Sequence, residues 1–199
     1  MTIPAADEVV LVDREGVPVG TAPRTDVHRR DTPRHLAFSC HVLTPDGHVV
    51  VTRRALAKRT WPGAWTNAFC GHPRPGEHLE DAVRRRASDE LGVEITDLRL
   101  VLPTFSYEAV DDSGVRENEL CPVYVATLAT PVDQIAPDPD EVAAWRLVRP
   151  EALVAAAAAA PWTLSPWSAW QLAERDLRLA LGVPVTPGPV TGKEACGHV

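Results

Sequence analysis

Along the chain, short apolar runs alternate with breaks marked by glycine, proline and charge, and the apolar period shifts between that of strands and that of helices. EVVLVD at 8–13, followed by REG, reads as a first strand and a turn. HLAFSCHVL at 35–43, PDG, and HVVVTRR at 48–54 read as a hairpin whose turn is centred on Asp46-Gly47. LAKRTWPGAW at 56–65 is a connection with Pro-Gly punctuation, and it leads into a short strand carrying Ala68 to Cys70. In LEDAVRRRASDEL at 79–91 the apolar positions Leu79, Ala82, Val83, Ala87 and Leu91 fall at helical spacing, and Gly92 supplies a C-terminal stop.

LRLVLPTFSYEAV, the turn DDSG and VRENELCPVYVATL then predict a second long hairpin over 98–128. A strand around AAWRLV follows DPDE, and two helices close the pattern, one Ala-rich at 151–160 and one from Ser165 to Leu181. From Gly182 onward Pro and Gly recur too often for a packed element, so residues 183–199 read as a flexible tail, and Cys196 and His198 within it receive no role. Residues 1–182 are expected to form a single domain, an α/β (α+β) sandwich with a mixed sheet and flanking helices.

Composition narrows the function classes. A hydrophobic share of 45% and a charged share of 24% in 199 residues are those of a globular protein. No window approaches the roughly 18 consecutive apolar residues of a membrane span. The N-terminus carries acidic residues where a signal peptide would be basic, which predicts a cytoplasmic setting. The net charge of -7 disfavours nucleic acid and anionic membrane as partners, while RRALAKR at 53–59 and RRR at 84–86 offer local positive charge for a small anion. Cys40, Cys70, Cys121 and Cys196 show no C-x-x-C spacing, so neither a disulfide framework nor a thiolate zinc ribbon is expected.

The candidate chemistry lies in scattered polar groups. His28, His35 and His72 could join Glu117 and Glu119, which share one face if 116–125 is a strand. Three imidazoles and two carboxylates suit a divalent cation with an open position. Each histidine alone would more often be a surface or core residue, and ENE a solvated strand face. Arg86 and Glu90 stand four apart on one helix face, either as an ion pair or as a diphosphate-gripping Arg beside a Mg²⁺-holding Glu, with Arg53, Arg54 and Lys58 adding charge. In TNAFCGHP at 66–73, Cys70 could act on a substrate, share a metal with His72, or be packed.

The span from Gly71 to Glu77, continued by RRASDELGV at 85–93, resembles the Nudix box, but Arg86 stands where that motif carries its first Glu and Asp89 replaces another. Those departures speak against diphosphate hydrolysis. HRRDTPRHLAFS, TRRALAKRTWPGAWTNAFCGHP, EDAVRRRASDELGV, ENELCPVY and PWTLSPW, in this order, resemble the type I isopentenyl-diphosphate delta-isomerase family over about residues 7–180. The resemblance implies a Nudix-like mixed sheet and a double-bond isomerisation of isopentenyl diphosphate through a tertiary carbocation.

It implies Cys70 and Glu119 as the acid/base pair, with Tyr107 beside Glu119 in the protonation, Cys70 as base, and Trp167 stabilising the cation with its ring face. It places Mg²⁺, Mn²⁺ or Zn²⁺ on His28, His35, His72, Glu117 and Glu119, and a second Mg²⁺, arriving with the diphosphate, on Glu90. Arg24, Arg54, Lys58 and Arg86 would surround the diphosphate. Trp162 and Trp170 are expected in the core, Gly71 is expected to keep the backbone open to substrate, and a monomer is expected. Two other readings stand beside this one: a Nudix-type hydrolase of another diphosphate, and a non-catalytic domain with a closed structural metal site.

Overall fold

The computed structural model describes residues 8–185. In chain order the elements are β1 (Glu8–Val12), β2 (Pro18–Pro23), α1 (Arg24–Val27), β3 (His35–Leu36), β4 (Phe38–Leu43), β5 (Val49–Arg54), β6 (Trp65–Thr66), β7 (Phe69–Gly71) and α2 (Leu79–Leu91). There follow β8 (Ile95–Leu102), β9 (Ser106–Val110), β10 (Arg116–Leu120), β11 (Val123–Leu128), β12 (Val142–Val148), α3 (Pro150–Ala159), α4 (Pro166–Ala173) and α5 (Arg175–Ala180). They build a mixed α/β fold with two sheets, as the apolar pattern and the resemblance predict.

The larger sheet runs β12-β5-β4-β11-β8, with β6 added beside β5 and β7 beside β4. Its central strands β4 and β11 are parallel and buried along nearly their whole length. Such strands need cover on both faces. Alternation sends Phe38, Cys40, Val42, Tyr124 and Ala126 to the face packed by Ala82, Val83, Ala87 and Leu91 of α2. Val123 and Val125 turn the other way, onto Leu153 of α3, Leu172 of α4 and Leu177 of α5. Gly92 ends α2 in the left-handed conformation, φ 64°, and its N–H bonds back to Ser88 O at 3.0 Å.

The smaller sheet, β2-β1-β3-β10-β9, has no strand in common with the larger one, but two chain segments run from one into the other. β3 passes through Ala37 into β4, and β10 passes through Cys121-Pro122 into β11, so both sheet changes run side by side in parallel. Ala37 N–H bonds Leu120 O at 2.9 Å and Ser39 N–H bonds Pro122 O at 3.1 Å, which stitches the crossing together.

Three expectations need correction. The predicted second hairpin is divided: β8 pairs with β11 in the large sheet, and β9 pairs with β10 in the small one. The turn at Pro103-Thr104 and the absent N–H of Pro122 interrupt the two arms at matching places. The predicted helix 165–181 is broken at Glu174, whose backbone is extended. Leu172 and Leu177 are five residues apart, about 140° around a continuous helix, and the break lets both enter one cluster. β2 and α1 had no counterpart in the reading, because PVGTAP is mostly exposed and lacks apolar alternation. Most of the tail expected at 183–199, with Cys196 and His198, lies outside the described residues.

Candidate active site

The parallel register of β3 and β10 sets His35 opposite Glu119, and the antiparallel register of β9 and β10 sets Tyr107 opposite it on the other side. Glu117, two residues earlier on the same strand, faces the same way, and both carboxylates are 5% exposed. His28 follows α1, and its Nε2 lies 2.8 Å from Glu117 Oε2. His72, directly after β7, arrives from the larger sheet, with Nε2 at 3.2 Å from Glu119 Oε1. The three imidazole centroids stand 5.1 to 5.6 Å apart.

His28, His35, His72 and Glu119 bring ligand atoms within 4.8 Å of one another. His28 Nε2, His35 Nε2 and Glu117 Oε2 are buried without a hydrogen-bond partner. Buried polar atoms left unpaired are costly; His28 Nε2 and His35 Nε2 belong to this group, and Glu117 Oε2 borders it through His28. His35 Nδ1 donates to Pro33 O at 2.9 Å, which fixes the ring with Nε2 turned toward Glu119, 3.4 Å from Oε1. This donor set fits a divalent cation. Glu90 stands apart from it. Burial pushes the Glu119 carboxyl up, but the His35 and His72 imidazoles outweigh it and hold Glu119 well below the usual carboxylate range.

The opposite wall is built on the larger sheet. Cys70, on β7, is half-buried and pairs across the strands with Ser39 of β4. Ser39 Oγ lies 3.3 Å from Cys70 Sγ and 3.4 Å from Cys121 Sγ, and it accepts a hydrogen bond from Gln171 Nε2 at 2.9 Å. Asn67 Nδ2 reaches Cys70 Sγ at 3.3 Å, while its Oδ1 accepts from Trp167 Nε1 at 3.2 Å and Thr66 Oγ1 at 2.8 Å. Burial pushes the Cys70 thiol up to about 11, against the hydrogen bonds of Ser39 and Asn67. Burial, then the charges of Glu119 and Glu117, also push the Tyr107 phenol well above its usual value.

Between these walls lies a cavity of about 440 Å³ that Cys70, Glu119, Tyr107 and Trp167 line together with Arg24, Arg54, Lys58 and Arg86. Trp167 is 3% exposed, and its ring carries the Arg54 guanidinium 5.3 Å from the centroid. Arg86 donates to Glu90 from Nε at 3.0 Å, and its Nη2 stands 3.3 Å from Glu141. Lys58 also pairs with Glu141. Burial, together with the neighbouring Glu141 charge, outweighs Arg86 and Lys58 and raises the Glu90 carboxyl above its ordinary value. The bland helical ion pair of Arg86 and Glu90 therefore exists, and it borders the cavity.

Two expectations fail here. Trp162 is 79% exposed and Trp170 44% exposed, so Trp167 alone of the three is buried. Gly71, by contrast, does line the cavity, and because a Cβ on it would meet Arg86 Cγ at 2.8 Å and Phe38 Cζ at 3.0 Å, it also makes room for the arginine. Ser39, Thr60, Asn67, Glu141 and Gln171 were missed, because each meets its partner only through the fold. The DPDE run preceding a strand was the one local signal, and it concerns Glu141.

Residues 33–171 match the NUDIX domain family. A protein of Deinococcus radiodurans with a known crystal structure superposes with a TM-score of 0.58 at 25% identity, over 77% of this chain and 90% of that one. A Nudix-family hydrolase from Clostridium perfringens superposes at 0.52 with 18% identity, over 75% and 97%, which bears on the fold alone. The isopentenyl-diphosphate Delta-isomerase of Clavibacter michiganensis subsp. michiganensis (strain NCPPB 382) is 55% identical over 82% of this chain and 83% of its own. That of Kocuria rhizophila (strain ATCC 9341 / DSM 348 / NBRC 103217 / DC2201) is 54% identical over 88% and 96%.

The chain belongs to the isopentenyl-diphosphate Delta-isomerase family. Membership in that family leaves the hydrolase reading the less supported of the two. Arg86 in place of a box carboxylate agrees, and Asp89, which also lines the cavity, stands 3.5 Å from Arg85. The NUDIX match begins downstream of Arg24 and His28, which this chain supplies from α1 and the residue after it.

Proposed function

We propose that this cavity interconverts isopentenyl and dimethylallyl diphosphate, with Cys70 and Glu119 as the proton-transfer pair. The observation that supports the reading best is that these two groups enter one cavity from two different sheets. A proton added to the terminal alkene carbon leaves a tertiary carbocation at the branched carbon. Loss of a proton from the adjacent methylene places the double bond there, so one proton is gained and one lost. Cys70 and Glu119, the latter with Tyr107 opposite it across the strand pair, divide the two transfers, one delivering the first proton and the other receiving the second. The reverse reaction exchanges the roles.

Trp167 offers its ring to the cationic carbon, a face that already attracts the Arg54 guanidinium. Arg24, Arg54, Lys58 and Arg86 take the diphosphate, and Lys58 and Arg86 leave Glu141 to do so. His28, His35, His72, Glu117 and Glu119 would hold Mg²⁺, Mn²⁺ or Zn²⁺, and Glu90 a second Mg²⁺ brought by the diphosphate. When bound, a cation at the His/Glu site sets the acidity of the Glu119 carboxyl. Among the described residues no helix is long and apolar enough to cross a membrane. We place the enzyme in the cytoplasm as a monomer acting without nucleic acid.

Incubation with isopentenyl diphosphate in deuterated water, with Mg²⁺ and Mn²⁺ present, is the direct test. The expected result is dimethylallyl diphosphate carrying deuterium; absence of both product and label would sink the reading, and release of phosphate would favour hydrolysis.

A further inference from the structure

We propose that Thr60 is a positioning residue that turns Glu117 toward the divalent cation; the inference rests on the metal-site reading above. Thr60 lies in the connection between β5 and β6 and is 5% exposed. Its hydroxyl donates to Glu117 Oε1 at 2.7 Å. A hydroxyl has one hydrogen to give. With that hydrogen on Glu117, the oxygen can only accept, and Arg54 Nη2 stands 3.3 Å from it. The Thr60 carbonyl accepts from the same guanidinium, from Nε at 3.1 Å and Nη2 at 2.9 Å.

The consequence falls on the other carboxylate oxygen. Oε2 is buried and lies 2.8 Å from His28 Nε2, and neither atom has another hydrogen-bond partner. A carboxylate turns easily about its last torsion. The Thr60 hydroxyl decides which oxygen is tied back and which is presented. The main chain around it is closed by Arg54 N–H on Ala64 O at 2.9 Å, Gly63 N–H on Arg54 O at 3.1 Å and Lys58 N–H on Ala55 O at 3.1 Å, so the hydroxyl has a fixed origin. Thr60 thus lies between the cation site and Arg54, touching one through its side chain and holding the other through its carbonyl.

The division between side chain and main chain supplies the test. Thr60→Val removes the hydroxyl and keeps the shape, whereas Thr60→Ser keeps the hydroxyl. Free Mn²⁺ in titrations of chelator-treated protein, followed by electron paramagnetic resonance, reports metal affinity without turnover. Loss of an outer partner of a metal ligand weakens metal binding by about 10- to 100-fold. That is the loss expected for Thr60→Val, with Thr60→Ser within about threefold of the parent.

Inorganic pyrophosphate binding by the metal-free protein should change little, because the carbonyl of residue 60 still holds Arg54. Parent affinity in Thr60→Val, or equal loss in Thr60→Ser, would overturn the inference. In a Glu117→Gln background Thr60→Val should add no further loss, and an undiminished effect there would overturn it as well. If valine disturbs folding, Thr60→Ala is judged by the same criteria. A parent protein that takes up no Mn²⁺ would overturn the metal-site reading and this inference together. Weakened uptake in His72→Ala with none in Thr60→Val would overturn this inference alone.

Discussion

The two walls of the cavity are both buried, yet they treat protons in opposite ways. On the smaller sheet Glu119 is ionised, because two imidazoles outweigh the cost of burial. On the larger sheet Cys70 keeps its proton, because the hydrogen bonds of Ser39 and Asn67 do not outweigh burial, and the more distant charges of Glu119 and Glu90 act with burial. Desolvation acts in the same direction on both acids, and the partners decide the outcome. One wall therefore gathers imidazoles and carboxylates into a donor set suited to a cation, and the other presents a neutral, hydrogen-bonded cage. An enzyme that must add a proton at one point and remove one at another can use such a contrast.

The largest effect should come from removing either end of it. Cys70→Ala and Glu119→Gln are each expected to lower turnover by about 1,000-fold or more, within the range attributed to a positioned acid or base. Deuterium incorporation into dimethylallyl diphosphate is the measurement, with circular dichroism as the control for folding. Near-normal turnover from either variant would remove that residue from the pair. Loss in one variant alone would break the symmetry on which the comparison rests.

Metal separates the walls next. Mn²⁺ at about 100 times its dissociation constant should stabilise the protein by about 2.7 kcal/mol, a rise of about 5–10 °C in melting temperature for a chain of this size. Glu119→Gln and His35→Ala should lose most of that rise, and Cys70→Ala should keep it. Scanning calorimetry with and without chelator reads all four proteins. An equal rise in every variant would place the cation elsewhere.

These experiments also mark what the sequence could and could not disclose. The strands around Val49–Arg54 and the helix ending at Gly92 follow from apolar period and a left-handed cap. Glu117 and Glu119 share a face by strand alternation, so the carboxylate half of the metal site was legible locally. That His72 should reach them from the other sheet was not, because the parallel crossing of β3–β4 beside β10–β11 is a long-range pairing. Trp162 and Trp170 look as core-like as Trp167 in sequence, and only the fold turns Trp167 inward, onto Trp61 and the Asn67 side chain. Ser39 and Gln171 are 132 positions apart, and nothing local announces their bond.

Behind the neutral wall, acid should expose a weakness. His41 is fully buried, its Nε2 bonds Gln171 Oε1 at 3.0 Å, and its Nδ1 has no hydrogen-bond partner. Burial, only partly offset by Gln171, pushes this imidazole down to about 4 from 6.5. The unfolded chain therefore takes up the proton first, so the stability from a neutral His41 is complete above pH 6.5 and declines as pH falls toward 4. At pH 4.5 the loss from this group is on the order of 2 to 3 kcal/mol. Urea unfolding at pH 7.5 and 4.5 should show a smaller acid loss in His41→Gln than in the parent. Equal losses would mean that His41 does not sense acid.

The smallest effect concerns the aim of the thiol. Ser39 touches Cys70 and Gln171 but none of the basic side chains, so Ser39→Ala should disturb proton transfer and leave diphosphate binding intact. A buried hydrogen bond contributes about 1 to 1.5 kcal/mol, which corresponds to a fall in kcat of about 10-fold, with KM unchanged. Mn²⁺ affinity should not move, because the cage and the cation site share no hydrogen bond to Ser39. Steady-state kinetics beside the Mn²⁺ titration decide the matter. A change in metal affinity would show that the two walls are coupled through the strand pair β4–β7, where Ser39 faces Cys70 and Phe38 faces Gly71, the residue before His72. In that case the contrast between the walls would be a property of the metal-free protein, and filling one wall would re-aim the other.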